Sequence, residues 1–180
     1  MKLLLYCTKS RYRLFYDYID NKYRYGLDNK KDKFNALNGK IVAECDYEVE
    51  EIECRISVGI NGIHDEYTTK SLGENELLYA SKIDEITFIN YLKGKNGYAI
   101  YIKNLNIFDE PKSIQDYSKN ENPYYYIENA PQNMMYAYDV KSFNNFEKKV
   151  LISIHPEWLC KILNGEKTIE VRKRVLRRMI

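Results

Sequence analysis

The chain has only two histidines, His64 and His155. Its four cysteines, Cys7, Cys45, Cys54 and Cys160, are spaced too widely for a zinc knuckle or a redox pair. No metal and no cofactor are therefore expected, and the cysteines read as reduced and mostly buried. No run approaches the roughly 18 consecutive apolar residues of a membrane span. The apolar start at residues 3–6 is too short for a signal-peptide core. The expectation is a cytoplasmic protein with no membrane partner. Its 180 residues, 44% hydrophobic and 30% charged, supply a core without disulfides, so a single domain over residues 1–180 is expected.

The net charge of +2 conceals an asymmetry. From Lys148 onward nine lysines and arginines face three acids, a surplus of six, whereas the first 147 residues carry nineteen bases and twenty-three acids. Such a basic stretch is either the footprint of a polyanion or a solvated helix end. Eighteen residues are tyrosine, a side chain that stacks on bases or covers a sheet surface. The abundance of Lys, Asn, Ile and Tyr points to a low-GC bacterial or phage genome.

Residues 2–8 read as a buried strand, and residues 10–38 as a long excursion or small hairpin. Asn38-Gly39 signals a turn into a long strand over residues 40–53, with a bulge near Cys45-Asp46 where the alternation breaks. Residues 56–60 continue as another strand before Asn61-Gly62. Residues 74–92 form two helices, the second capped by Asp84 and stopped at Gly94. A strand follows over residues 98–103, is extended after a kink by residues 105–108, and stops at Pro111. Residues 112–130 are polar and turn-rich and read as surface loop. Residues 134–138 are a short strand and 142–147 a loop. Residues 150–154 are a strand, and Pro156 opens a helix that buries Trp158, Leu159 and Ile162 and ends at Asn164-Gly165. Residues 167–172 are the last strand.

The segment VLISIHPEWLCKILNGEKTIEVRKR, residues 150–174, resembles the signature of the ASCH domain, a branch of the PUA-like β-barrels. The shared pattern is an apolar strand, a proline-initiated helix, Gly-x-Lys-Thr, then Glu-x-Arg-Lys on a strand. GKIVAECDYEVEEI (residues 39–52), KGKNGYAIYIKNLNIFDEPKSI (93–114) and APQNMMYAY (130–138) also look like that family. The resemblance implies an α+β fold, a mixed β-barrel with flanking helices, with residues 149–174 as its signature strand–helix–strand. In the family that element comes first, and here it comes last. The preferred account is a circular permutation, because a stump of a second barrel would leave Trp158, Leu159 and Ile162 uncovered. Such permutation is tolerated where domain termini lie close together.

On a regular strand Lys167 and Glu170 would point to opposite faces. The resemblance implies that Lys167 lies in the turn entering the strand, so that both reach one cleft. There Lys167 and Arg172 would hold a phosphate or ribose, and Glu170 would read a base edge or orient Arg172. The bland reading is a structural Glu170–Arg172 pair. Thr168 and Lys173 belong to the same stretch, while Lys9, Tyr6 and Tyr98 are candidates to line the cleft. Some ASCH-like proteins deacetylate a modified cytidine with the lysine, a threonine on this strand and a helix glutamate. Lys167 matches that lysine, but Glu170 stands in the place of the threonine, which argues against carrying the activity over. Asp84 or Glu85 would be the helix acid, and His155 is a further titratable candidate at a helix start. Tyr124-Tyr125-Tyr126 reads as a loop packing on the barrel.

The leading expectation is binding of RNA or a modified nucleoside by Lys167, Thr168, Glu170, Arg172, Lys173, Lys9 and Tyr98. An enzyme on the same cleft, a nucleoside amidohydrolase or a ribonuclease with Lys167 and Glu170 as its catalytic pair, is the second reading. A protein–protein adaptor using the tyrosine-rich loops is the third. Nothing in the pattern sets an oligomeric state.

Overall fold

Strands dominate the computed structural model, which describes residues 1–27, 36–60, 62–142 and 144–180. The element order is β1 (Leu3–Cys7), β2 (Tyr12–Asp17), β3 (Lys22–Leu27), β4 (Ile41–Gly59), β5 (Gly62–Thr68), α1 (Glu74–Ser81), α2 (Glu85–Leu92), β6 (Gly97–Lys112), β7 (Met134–Ser142), β8 (Asn145–Ile154), α3 (Pro156–Leu163) and β9 (Ile169–Arg172). The fold is α+β. It divides into two compact units, each drawn from two stretches of chain: residues 1–46 with 104–165, and residues 47–103 with 166–180.

In the first unit β8 pairs antiparallel with β7 and parallel with β1, while β1 pairs antiparallel with the first residues of β4. Leu3, Leu4, Leu5 and Cys7 are fully buried, as a strand with neighbours on both edges requires. The β1–β4 register slips between Leu5 and Tyr6, opposite Val42, so the irregularity on this pair lies before the expected Cys45-Asp46. The hairpin β2–β3 packs on α3. Asn164 at the end of α3 fixes it, with Oδ1 accepting from Tyr23 N at 2.8 Å and Nδ2 donating to Tyr23 O at 2.9 Å. Of the expected excursion, residues 28–35 lie outside the described residues, as does Asn61 of the Asn61-Gly62 turn.

The segment 112–130 departs from the surface loop expected of it. Ile114, Tyr117 and Ile127 join Leu4, Tyr6, Ile41, Ala137 and Leu151 in one core cluster. A 3-10 turn at Ile114–Asp116, closed by a capping box on Ser113, turns the first of them inward. Tyr124, Tyr125 and Tyr126 do not pack down with it. Their exposures are 87%, 59% and 46%.

In the second unit β5 and β6 both pair with β4, and β9 pairs antiparallel with β6. Helices α1 and α2 cover one face, where Leu77, Phe88 and Leu92 meet Ile52, Tyr67, Ala99, Ile169 and Val171. Asp84 caps α2 as expected, its Oδ1 accepting from Thr87 N at 2.9 Å and its Oδ2 from Thr87 Oγ1 at 2.6 Å. Lys93 takes the left-handed conformation that ends the helix, followed by Gly94 at φ +73°. Among the described residues neither unit's strands close on themselves into a barrel.

Candidate nucleic-acid interface

Ser81 ends α1, and a helix end leaves backbone carbonyls without intrahelical donors. Three donors reach them. Ser81 Oγ donates to Leu78 O at 3.2 Å, Thr168 N to Ala80 O at 3.0 Å, and Lys167 Nζ to Ser81 O at 2.6 Å. The Lys-Thr pair entering β9 is thus the C-terminal cap of α1, supplied from 86 residues away. Lys167 is 2% exposed, and a buried ammonium needs a counter-charge. Glu170 provides it, with Oε2 3.3 Å from Nζ.

Regular pleating starts at Ile169, so Lys167 stands outside the alternation and reaches Glu170 although three residues separate them. From there the faces separate. Ile169 and Val171 enter the helix-covered core, while Glu170 and Arg172 stand on the other side of the strand, opposite Ile100 and Tyr98 of β6. The second carboxylate oxygen of Glu170 accepts from Arg172 Nε at 2.9 Å. Glu170, itself 7% exposed, therefore ties a buried ammonium to a guanidinium nearer the surface. Gly97 is the residue that permits the close approach. A Cβ there would sit 2.8 Å from Leu92 Cδ2 and 3.1 Å from Arg172 O.

Directly opposed residues of an antiparallel pair have neighbouring side chains, so Tyr98 lies beside Arg172. Beyond Arg172 the chain exposes Lys173, Arg174, Arg177 and Arg178. Lys173 Nζ stands 4.8 Å from the centre of the Tyr91 ring. The basic stretch is therefore smaller than its sequence count. Lys149 and Lys167 are buried, at 4% and 2% exposure, and are spent on internal pairing. Lys149 is enclosed in the first unit by Glu44 at 3.0 Å and by Asp139 and Glu147 at 3.6 Å each.

The structure gathers Lys167, Thr168, Glu170, Arg172, Lys173 and Tyr98 in the second unit, with the Thr168 side chain exposed. Lys9 belongs to the first unit. It is exposed there and lines a cleft of about 260 Å³ with Tyr6, Thr8, Glu128 and Ser153. His155 also lies in the first unit, 3.3 Å from Thr8 Oγ1 through Nδ1, and its side chain does not cap α3. Asp84 is occupied as a cap, and Glu85 is exposed.

Sequence reasoning missed a second polar cluster in this unit. Glu50 on β4 accepts from Tyr101 OH at 2.6 Å and from both the hydroxyl and the amide of Ser71, and Thr69 Oγ1 lies 3.2 Å from the Tyr101 hydroxyl. Burial alone would raise the Glu50 carboxyl, but these donors outweigh it and hold the pKa at about 2. The cluster borders a cleft of about 620 Å³. A glutamate inside an alternating strand gives no local sign of such partners. In the first unit a cleft of about 580 Å³ is lined by Tyr16, Tyr18, Tyr23 and Phe108 with Asp109, another grouping with no local signature.

Set against family models, curated proteins and solved structures, the chain matches none. Among the described residues no group of three or more His, Cys, Asp or Glu side chains is placed to hold a metal ion, and no helix is long and apolar enough to cross a membrane.

Proposed function

We propose that this chain is a permuted, ASCH-like member of the PUA-type barrels that acts in the cytoplasm and binds RNA or a modified nucleoside. Its contact surface is the end of β9, where the part-buried Arg172 and Tyr98 lead into the exposed bases that follow. One observation carries this reading: Glu170 holds the Arg172 guanidinium at 2.9 Å beside Tyr98, at the start of an exposed basic run. A guanidinium held in place by a carboxylate anchors one end of the exposed basic run, and an adjacent phenol ring offers a stacking face. Lys167 acts one layer deeper. It positions Glu170 rather than touching the ligand, and Thr168 serves through its backbone N–H on Ala80 O.

Catalysis on the same cleft is less well supported. Lys167 would have to leave both the Ser81 carbonyl and Glu170 before taking part in chemistry. The test is fluorescence anisotropy of labelled short RNA and single-stranded DNA at 50 and 200 mM salt, with the wild type and an Arg172→Ala/Lys173→Ala/Arg174→Ala variant. Four phosphate contacts to a single strand predict roughly 50-fold weaker binding at the higher salt. The variant is expected to lose most of the affinity. Salt-insensitive binding, or a variant that binds as tightly as the wild type, overturns the reading. Release of acetate from N4-acetylcytidine would move the assignment to the enzyme.

A further inference from the structure

Tyr6 carries a polar atom that the fold does not use. Its ring belongs to the core of the first unit, and the residue is 4% exposed. Among the described residues its hydroxyl nevertheless has no hydrogen-bond partner. Buried tyrosine hydroxyls ordinarily find one, so the exception needs a reason. Tyr6 stands opposite Ser153 where the parallel strands β1 and β8 end, and there it lines the cleft of about 260 Å³. Burial pushes the pKa of the hydroxyl up, which keeps it a donor at neutral pH.

Lys9 comes to the same place. A Cβ built on Gly39 would lie 3.9 Å from the Tyr6 hydroxyl oxygen and 3.3 Å from Lys9 Cε, so the two groups are neighbours. Among the described residues the Lys9 ammonium forms no ion pair. Thr8 adds a second hydroxyl to the lining, 3.3 Å from His155 Nδ1. Ser153 is already engaged, its Oγ donating to Pro131 O at 2.7 Å. The rest of the lining includes apolar surface from Ile114, Ala130 and Pro131, together with the exposed Glu128.

We infer that this cleft binds the carboxylate of a small organic acid, held by Lys9 and the Tyr6 hydroxyl, with the acid's apolar body against Ile114, Ala130 and Pro131. A few converging polar groups set in apolar walls are the ordinary form of a small-molecule pocket. The charge balance selects the ligand. One unpaired lysine matches one negative charge, and donors from an ammonium and a phenol suit the two oxygens of a carboxylate. A phosphate monoester carries about −1.5 to −2 at neutral pH, and its excess would meet the Glu128 carboxylate in the same lining. A neutral ligand would make no use of the Lys9 charge. The carboxylate can come from a free acid or from the C-terminus of a peptide, and the chemistry at Lys9 and Tyr6 is the same.

The test is a titration of isotope-labelled protein followed by NMR amide shifts, with isovalerate, its neutral amide isovaleramide, inorganic phosphate and acetyl-glycyl-leucine as probes. Isovalerate is expected to shift the amides of Thr8, Lys9 and Asn129 with a Kd of roughly 0.1–1 mM. Isovaleramide should bind at least about tenfold more weakly. Tyr6→Phe keeps the core ring and removes a hydroxyl that no other group uses. It should melt like the wild type yet bind isovalerate about tenfold more weakly. Lys9→Gln, at an exposed position, should do the same. Tighter binding of the peptide than of isovalerate would name a chain terminus as the source. Isovaleramide bound as well as isovalerate, phosphate bound better than either, or full affinity in either variant overturns the proposal, as does the absence of any shift at these amides. The Arg172→Ala/Lys173→Ala/Arg174→Ala variant should bind isovalerate as the wild type does, so this site and the RNA-binding proposal fail independently.

Discussion

Among the described residues each unit buries one lysine, and the two are solved differently. In the first, Lys149 is ringed by three carboxylates, Glu44, Asp139 and Glu147, whose side chains are 21%, 15% and 51% exposed. In the second, Lys167 meets the Glu170 carboxylate and the Ser81 carbonyl, and these partners are nearly as buried as it is. The first arrangement offsets charge with charge at a boundary that water still reaches. The second spends its charge on closing a helix end. A lysine of the second kind cannot be removed without orphaning backbone as well as a carboxylate, so the same residue type costs more there.

Replacing each lysine by methionine separates the two cases. Lys167→Met keeps the volume, but it leaves the Ser81 carbonyl without its donor and Glu170 with Arg172 alone. A loss of about 3–5 kcal/mol is expected by urea denaturation at unchanged m-value. Lys149→Met should cost less, about 2 kcal/mol, because Asp139 keeps Lys141 at 2.6 Å and Glu147 is half exposed. Equal losses would break the comparison.

The Lys149 loss should also depend on pH in a defined direction. Burial pulls the Lys149 pKa down, but Glu44, Glu147 and Asp139 together outweigh it and raise the value above the ordinary 10.5. The contribution is therefore fully present below the ordinary lysine value and fades only as the pH rises through the raised one. The gap between wild type and Lys149→Met should stay flat from pH 6 to pH 9.

Glu50 sharpens the comparison from the acid side, since it is held by neutral donors alone. Glu50→Gln is expected to cost about 1.5 kcal/mol near neutrality. Because the folded pKa is depressed from 4.5 to about 2, that contribution is present above pH 4.5 and disappears as the pH falls toward 2. Thermal melts at pH 7, 4 and 3 should show the two proteins converging. A constant difference would mean that Ser71, Thr69 and Tyr101 do not stabilise the charge.

What could be read in advance follows from range. Caps and turns act within a few residues, so Asp84 on Thr87 and Pro156 opening α3 were visible locally, whereas local alternation put Lys167 inside the strand and only the resemblance put it in the turn before it. The α+β class came with the resemblance, and the structure has it. Strand ends were less so. β4 runs unbroken to Gly59 where two strands are expected, and β6 continues through Pro111 to Lys112 where a stop is expected. Tertiary pairing overrides the breaker in the second case, as proline tolerates a strand end. The inward turns of Ile114, Tyr117 and Ile127 have no period to reveal them, since each is a single apolar residue among polar neighbours. Lys149 and Lys167 were counted as surface charge because nothing near them in sequence names Glu44 or Ser81 as partner. Lys9, grouped with the cleft because it follows the first strand, lies in the first unit.

The parallel pairing of β8 with β1 carries a consequence for synthesis. β1 leaves the ribosome well ahead of its parallel neighbour, which follows some 140 residues later, and β6 likewise waits for β9. Until then two strands present bare hydrogen-bonding edges, the state in which nascent chains are most prone to pair wrongly. The long delay between paired strands makes this a protein whose nascent form should lean on chaperones. A ribosome stalled before residue 145 would hold a chain with neither unit finished.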